Sequence, residues 1–366
     1  ALNAFKNASE MNFDLKIQED AHLNYAKLSY EIGNSYQAVP DVLYAFIEKY
    51  PNSPAKAEVE TLLINSYITT KNYKGALDLL EKNKSTNRAA YQKVAFYRGL
   101  ELYTDGSYKE ALSMFRKSIA EPKDAKFTAR ATFWEGETEY VLDNFGDALL
   151  SFKDFNAMPE SKSTPENKNI HYNIAYAHFK LKEYDQAGNN FQSFIDAVKD
   201  DKVRVTDAYL RLADSRFVMM KYWPAMDAYN KVIELKSVDA DYAAYQKAIS
   251  YGFVSKNDKK IDDLNKFLTA FPKSQYRDDA LFELGNTYVT EKKTDAAIKT
   301  YDQLLGEFKN GSYASKAILR QGLIYFNAQN DNQALAKFKK IAAEYPKSPE
   351  AIEAVATARL IYVDNG

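Results

Sequence analysis

The chain contains no cysteine, which excludes thiolate metal sites, disulfides and cysteine nucleophiles. Its 366 residues hold 13 glycines and 10 prolines, too few for a disordered or β-rich chain. Only three histidines occur, His22, His171 and His178. The last two are seven residues apart, about 10.5 Å along a helix axis, too far to grip one metal ion together. No apolar run approaches the ~18–20 residues that span a bilayer, so direct membrane insertion is not expected. Charge of one sign is also missing. The 49 basic and 50 acidic residues leave a net charge of −1, without the basic stripe that nucleic acid or an anionic membrane requires. No HExxH, GxSxG, Walker loop or strand-borne GxGxxG is present. The doublets Asp200-Asp201, Asp262-Asp263 and Asp278-Asp279 read as helix-start or loop residues placed by the helix dipole, not as acid–base pairs. No catalytic residue, metal ligand or cofactor is assigned, and an enzyme is not expected.

What the chain has in quantity is aromatic residues, 28 Tyr and 21 Phe, arranged in a repeat. An anchor position, usually alanine, falls at Val39, Ala76, Ala111, Ala148, Ala187, Ala225, Lys260, Ala297 and Ala334. Twelve residues before each anchor stands Lys27, Ile64, Gly99, Gly136, Ala175, Ala213, Ala248, Gly285 or Gly322. Four residues after it stands Leu43, Leu80, Phe115, Phe152, Phe191, Tyr229, Leu264, Tyr301 or Phe338. Small residues at the first two places and large apolar ones at the third predict a helical hairpin, because a missing side chain on one helix accommodates a ring from its partner. An aromatic opens the second helix three positions before six of the anchors, at Tyr36, Tyr73, Tyr108, Phe145, Tyr184 and Tyr222. Pro40 and Pro224 fit the first turns of second helices, where a missing N–H costs nothing.

This pattern resembles the tetratricopeptide repeat family, with Pro51, Pro272 and Pro346 in the place of its inter-repeat proline. The resemblance covers essentially the whole chain and implies an all-α, right-handed superhelical solenoid of helix–turn–helix repeats. Residues 1–8 read as the second helix of a preceding repeat, 9–347 as nine repeats, and 348–366 as a first helix or C-terminal cap. Lys27, Val39, Lys260 and Ile64 replace small residues, so their units are expected to pack less closely. Short polar stretches separate units at 83–87, 121–124, 159–169 and 199–202. The longest, 159–169, is the candidate for a flexible or inserted loop.

The family lines its concave face with first helices, which implies two stripes here. One is Phe96, Phe133, Tyr172, Leu210, Tyr245 and Phe282; the other is Tyr103, Tyr140, Phe179, Phe217, Val289 and Phe326. Rigid aromatics at low entropy cost make hot spots, so these residues are the candidate groove for a peptide or partner protein. The same aromatics also serve packing alone in this family, and both readings stand. The family's carboxylate clamp is incomplete: Lys316 and Arg320 match one unit, whereas Glu283, Tyr245 and Ile249 do not match the others. A finer resemblance, carried by Tyr50-Pro51-Asn52-Ser53, Phe271-Pro272-Lys273-Ser274 and Tyr345-Pro346-Lys347-Ser348, is to bacterial envelope repeat proteins of the BamD and Tol–Pal coordinator kind. It implies a periplasmic or outer-membrane-associated scaffold; a cytoplasmic one is the alternative. Apolar ends (Leu2, Phe5; Ile352, Val355, Leu360) raise the further expectation of self-association into a structural spacer.

Overall fold

The computed structural model describes residues 1–82 and 87–364. Of the expected polar link 83–87 all but Asn87 lies outside the described residues, as do Asn365 and Gly366. The chain forms two compact units, Ala1–Leu181 and Lys182–Gly366, and every regular element among the described residues is helical.

The first unit contains α1 (Leu2–Glu10), α2 (Leu15–Ile32), α3 (Val39–Lys49), α4 (Lys56–Thr69), α5 (Tyr73–Lys82), α6 (Arg88–Thr104), α7 (Tyr108–Ile119), α8 (Ala125–Val141), α9 (Phe145–Ala157) and α10 (Ile170–Lys180). Consecutive helices pack on one another, and α2 and α6 also touch α4 and α8 respectively. Asp14 caps α2 through Lys16 N and Ile17 N, and Asp124 caps α8 in the same way, each satisfying donors that a helix start leaves open. Ala76, Ala111 and Ala148 are fully buried in the first turns of α5, α7 and α9. Tyr36 departs from the expected pattern. It lies before α3, exposed in the 33–38 link, because α3 opens with Val39 and Pro40 instead.

The second unit contains α11 (Tyr184–Ala197), α12 (Lys202–Val218), α13 (Tyr222–Glu234), α14 (Ala240–Phe253), α15 (Asn257–Ala270), α16 (Arg277–Thr290), α17 (Thr294–Glu307), α18 (Ala314–Asn327), α19 (Asp331–Glu344) and α20 (Pro349–Asp364). Consecutive helices again pack in order. Asp201 caps α12 through Arg204 N, as expected, and Asp278 and Asp279 sit in the first turn of α16. Asp262 and Asp263 do not fit that expectation. They lie in the middle of α15, where Asp263 meets Lys247 of α14 at 3.1 Å and both reach Lys266.

The hairpin turns share one construction. Lys71, Asp143, Met220, Ser255, Lys292 and Gln329 have φ between 54° and 62°, and Gly106 has φ 79°. The next residue donates its N–H five residues back, for example Ser107 to Leu102 O and Lys293 to Tyr288 O, both at 2.8 Å. This 6→1 bond closes a Schellman turn. The junctions between hairpins are also alike. Ser53 and Ser274 carry hydroxyls that accept from Ala55 N and Tyr276 N, each at 3.2 Å, so the aromatic–Pro–x–Ser sequence closes one helix and primes the next.

Helix separation within a hairpin is set by glycine. A Cβ added to Gly99 would lie 2.6 Å from Phe115, at Gly136 2.8 Å from Phe152, at Gly285 2.4 Å from Tyr301 and at Gly322 2.5 Å from Phe338. These are the ring-and-gap pairs that the repeat predicts. Gly285→Ala is expected to destabilise the second unit by up to about 2 kcal/mol in urea unfolding, since overpacking costs ~1–3 and better helix propensity returns ~1. In a Tyr301→Leu background the cost should fall by at least half; an unchanged cost would refute the pairing.

Candidate partner-binding surface

Half of the first stripe is core. Phe96, Phe133 and Leu210 are buried, and this corrects the expectation that they face a groove. Each lies three residues before the glycine or alanine of its helix, on the face turned to the second helix, a place that Tyr172, Tyr245 and Phe282 share with less complete cover. Phe96 meets Phe115 at 6.2 Å and Phe133 meets Phe152 at 5.6 Å. Phe282 and Tyr245 are only half-buried, with Phe282 stacked on Tyr313 at 4.6 Å and Tyr245 on Tyr276 at 5.7 Å.

The second stripe is half-buried at Tyr103, Tyr140, Phe179, Phe217 and Phe326 and exposed at Val289. Tyr103 stands edge-on to Tyr108 at 5.3 Å and to Trp134 at 5.2 Å, and burial pushes its phenol up to about 12. Tyr140 pairs with Phe145 at 5.2 Å, and Phe217 with Tyr222 at 5.5 Å.

In the first unit, Tyr140 and Tyr172 line a cavity of about 240 Å³ together with Glu137, Phe152, Asn173 and Tyr176. Tyr176 contacts Tyr172 at 4.9 Å and Tyr140 at 6.5 Å. It was not among the stripe residues, although its place four after Tyr172 puts it on the same helix face. Asn173 donates to Glu137. The result is a tyrosine-rich depression between α8 and α10 with one carboxylate at its edge.

The 159–169 segment is inserted and packed. It forms two short 3-10 turns, Pro159–Ser163 and Pro165–Asn169, with Ser161, Thr164 and Glu166 buried. Glu166 Oε1 accepts from Arg130 Nε at 2.9 Å and from Trp134 Nε1 at 3.1 Å, which ties the insert to α8.

In the second unit a buried carboxylate organises α12. Asp214 accepts from the hydroxyls of Tyr229 at 2.9 Å and Tyr242 at 3.1 Å, and from Arg211 at 2.9 Å. A larger cavity, about 450 Å³, lies between α14 and α16 and includes Tyr245, Lys260 and Glu283. Lys260 is the lysine that replaces an anchor alanine; it is buried, with its ammonium 2.7 Å from Glu283.

A family model described as "Tetratricopeptide repeat" matches residues 279–311 and 316–348, the hairpins α16/α17 and α18/α19. These are tetratricopeptide repeats. The C-terminal part of a TPR repeat-containing protein from Cytophaga hutchinsonii is similar in structure, with a TM-score of 0.57 and 16% identity over 71% of this chain and 98% of that one. A tetratricopeptide repeat protein from Parabacteroides merdae matches with a TM-score of 0.44 and 14% identity, over 74% of this chain and 99% of that one. No curated protein matches the chain. Tetratricopeptide repeat proteins generally act as scaffolds that bind proteins or peptides. No helix among the described residues is long and apolar enough to cross a membrane.

Asp214 provides a test of how the inner polar groups are held. Burial raises its carboxyl above the usual range, with Tyr229, Arg211 and Tyr242 opposing. A raised pKa means that the fold holds the proton more tightly than the unfolded chain does, so this contribution is present at low pH and lost as pH rises through the folded value. Relative to Asp214→Asn, the parent is therefore expected to gain stability as pH falls from 7 toward 4 in urea titrations. A difference that does not change with pH would show the carboxylate to be fully compensated.

Proposed function

We propose that this chain is a non-enzymatic scaffold of the bacterial cell envelope, which holds a peptide or partner protein against the faces of its first helices. The observation that carries the reading is the depression formed by Tyr140, Tyr172 and Tyr176. Three phenol rings on adjacent first helices offer large, rigid, amphipathic contact area with few rotatable bonds, the chemistry of peptide hot spots. The carboxylate of Glu137 at the edge adds an acceptor for a backbone N–H or a basic side chain. The envelope assignment rests on the three aromatic–Pro–x–Ser junctions and their resemblance to envelope repeat proteins.

Affinity capture from a bacterial envelope extract, with Tyr140→Ala/Tyr172→Ala as the paired variant, tests this reading. A partner identified by mass spectrometry should bind the variant at least about tenfold more weakly. Undiminished binding by a folded variant would remove the depression from the reading, and capture only from cytosol would remove the envelope.

The apolar face of α20 supports a second reading, a self-associating spacer. Ile352, Val355, Leu360, Tyr362 and Val363 are exposed, and Val355 and Tyr362 line a cavity of about 360 Å³ with Phe338 and Ala354. This reading predicts a mass by sedimentation that rises with concentration and returns to the monomer value in Val355→Asp. A mass that stays at the monomer value would discard it.

A further inference from the structure

Three hairpins fill the same corner with the same pair of rings. The residue eight before the anchor meets the ring that opens the second helix edge-on: Tyr103 with Tyr108, Tyr140 with Phe145 and Phe217 with Tyr222, at 5.2–5.5 Å. In α14/α15 both rings are gone. Gly252 and Asn257 occupy those positions, and Lys260 stands where the anchor alanine belongs. The neighbouring ring does not fill the corner: Phe253 stacks on Tyr222 at 4.8 Å and meets Phe217 at 5.6 Å. What remains is the cavity of about 450 Å³, lined by Tyr245, Ile249, Gly252, Asn257, Lys260 and Glu283 among others, a size that suits a side chain or small ligand.

The vacancy is apolar on one side and charged on the other. The Lys260 ammonium makes one hydrogen bond among the described residues, to Glu283 Oε2 at 2.7 Å, and its side chain is only 11% exposed. An ammonium has three donors and a carboxylate two acceptor oxygens, and both side chains line the cavity. A phenol hydroxyl, which donates once and accepts, matches such a pair. The chain meets the same need elsewhere with its own tyrosines. Tyr229 donates to Asp214 beside Arg211, and Tyr313 donates to Asp279 at 2.6 Å.

We propose that this cavity receives a tyrosine side chain of a partner segment, its ring in the place of the missing pair and its hydroxyl against Lys260 and Glu283. The proposal rests on the scaffold reading and names the partner chemistry that the second unit selects. A leucine or phenylalanine in the same place would leave the buried Lys260 ammonium and the half-buried Glu283 carboxylate without the phenol's hydrogen bonds, so the cavity discriminates by the hydroxyl.

The test uses the full chain with p-cresol and toluene as probes, followed by ligand-detected NMR titration. Saturable binding of p-cresol is expected, with toluene weaker by about tenfold or more. Glu283→Gln should reduce p-cresol binding toward the level of toluene, and Gly252→Phe, whose Cβ meets the Lys260 stem at 3.2 Å and whose ring displaces that stem and takes up the cavity, should abolish it. If Gly252→Phe does not fold, as judged by circular dichroism, Glu283→Gln decides. Equal binding of the two probes, no saturable binding, or p-cresol binding unaffected by Glu283→Gln would overturn the proposal. Failure here, with partner capture still lost in Tyr140→Ala/Tyr172→Ala, sinks the tyrosine pocket alone; capture of no partner by the parent chain sinks the scaffold reading.

Discussion

The contact between a bare glycine on one helix and a ring on the next governs four of the hairpins. Gly99, Gly136, Gly285 and Gly322 leave room that a phenyl or phenol ring fills, with no space for even one methyl group. Interiors are close-packed, so the two positions divide a fixed volume. Where the first helix carries Ile64, the second carries the smaller Leu80, and where it carries Ala248 the partner is Leu264, all buried. Ala213 faces Tyr229, whose hydroxyl passes beyond the contact to reach Asp214. The close approach of the two helices follows from this division of volume.

That division is also why the fold was legible before any coordinates. A small residue and a large one at constant spacing are a local signal, repeated at each hairpin, and the positions tolerate few alternatives. The binding surface was less legible because an aromatic three residues before a glycine shares a face with it, so Phe96 and Phe133 are drawn into the core. Exposure depends on what the next hairpin lays over the ring, and a single helix does not encode that. The stretch 159–169 reads in sequence as a flexible or inserted loop, and what decides between the two is Glu166, held by Arg130 and Trp134 in a contact made over more than thirty residues. The larger cavity left a trace of a different kind. The second stripe breaks at Gly252, and the meaning of the break appears only when Asn257 and Lys260 are seen around the same void.

Buried polar groups occur both in hairpins that keep the glycine–ring contact, as at Gln92, Glu139 and Gln321, and in ones that depart from it, as at Lys260. Lys260, Asp214 and Glu166 are all buried and all held by partners from another helix or turn, as groups removed from water require. Each interrupts an otherwise apolar contact layer, and each marks a point at which one hairpin differs from the next. Identity among repeats builds the frame, whereas departure from it creates surfaces that a partner can tell apart.

The glycine–ring pairs have one more property: their partners are always sixteen residues apart, as in Gly99 and Phe115 or Gly285 and Tyr301. Closing such a short loop carries a small and constant entropy cost, and no hairpin needs a distant strand or terminus to complete its core. Chains dominated by local contacts cross low barriers, and arrays of nearest-neighbour units can begin ordering at any member and spread outward. The same four contacts that set helix spacing therefore give this polypeptide several equivalent starting points for acquiring its structure.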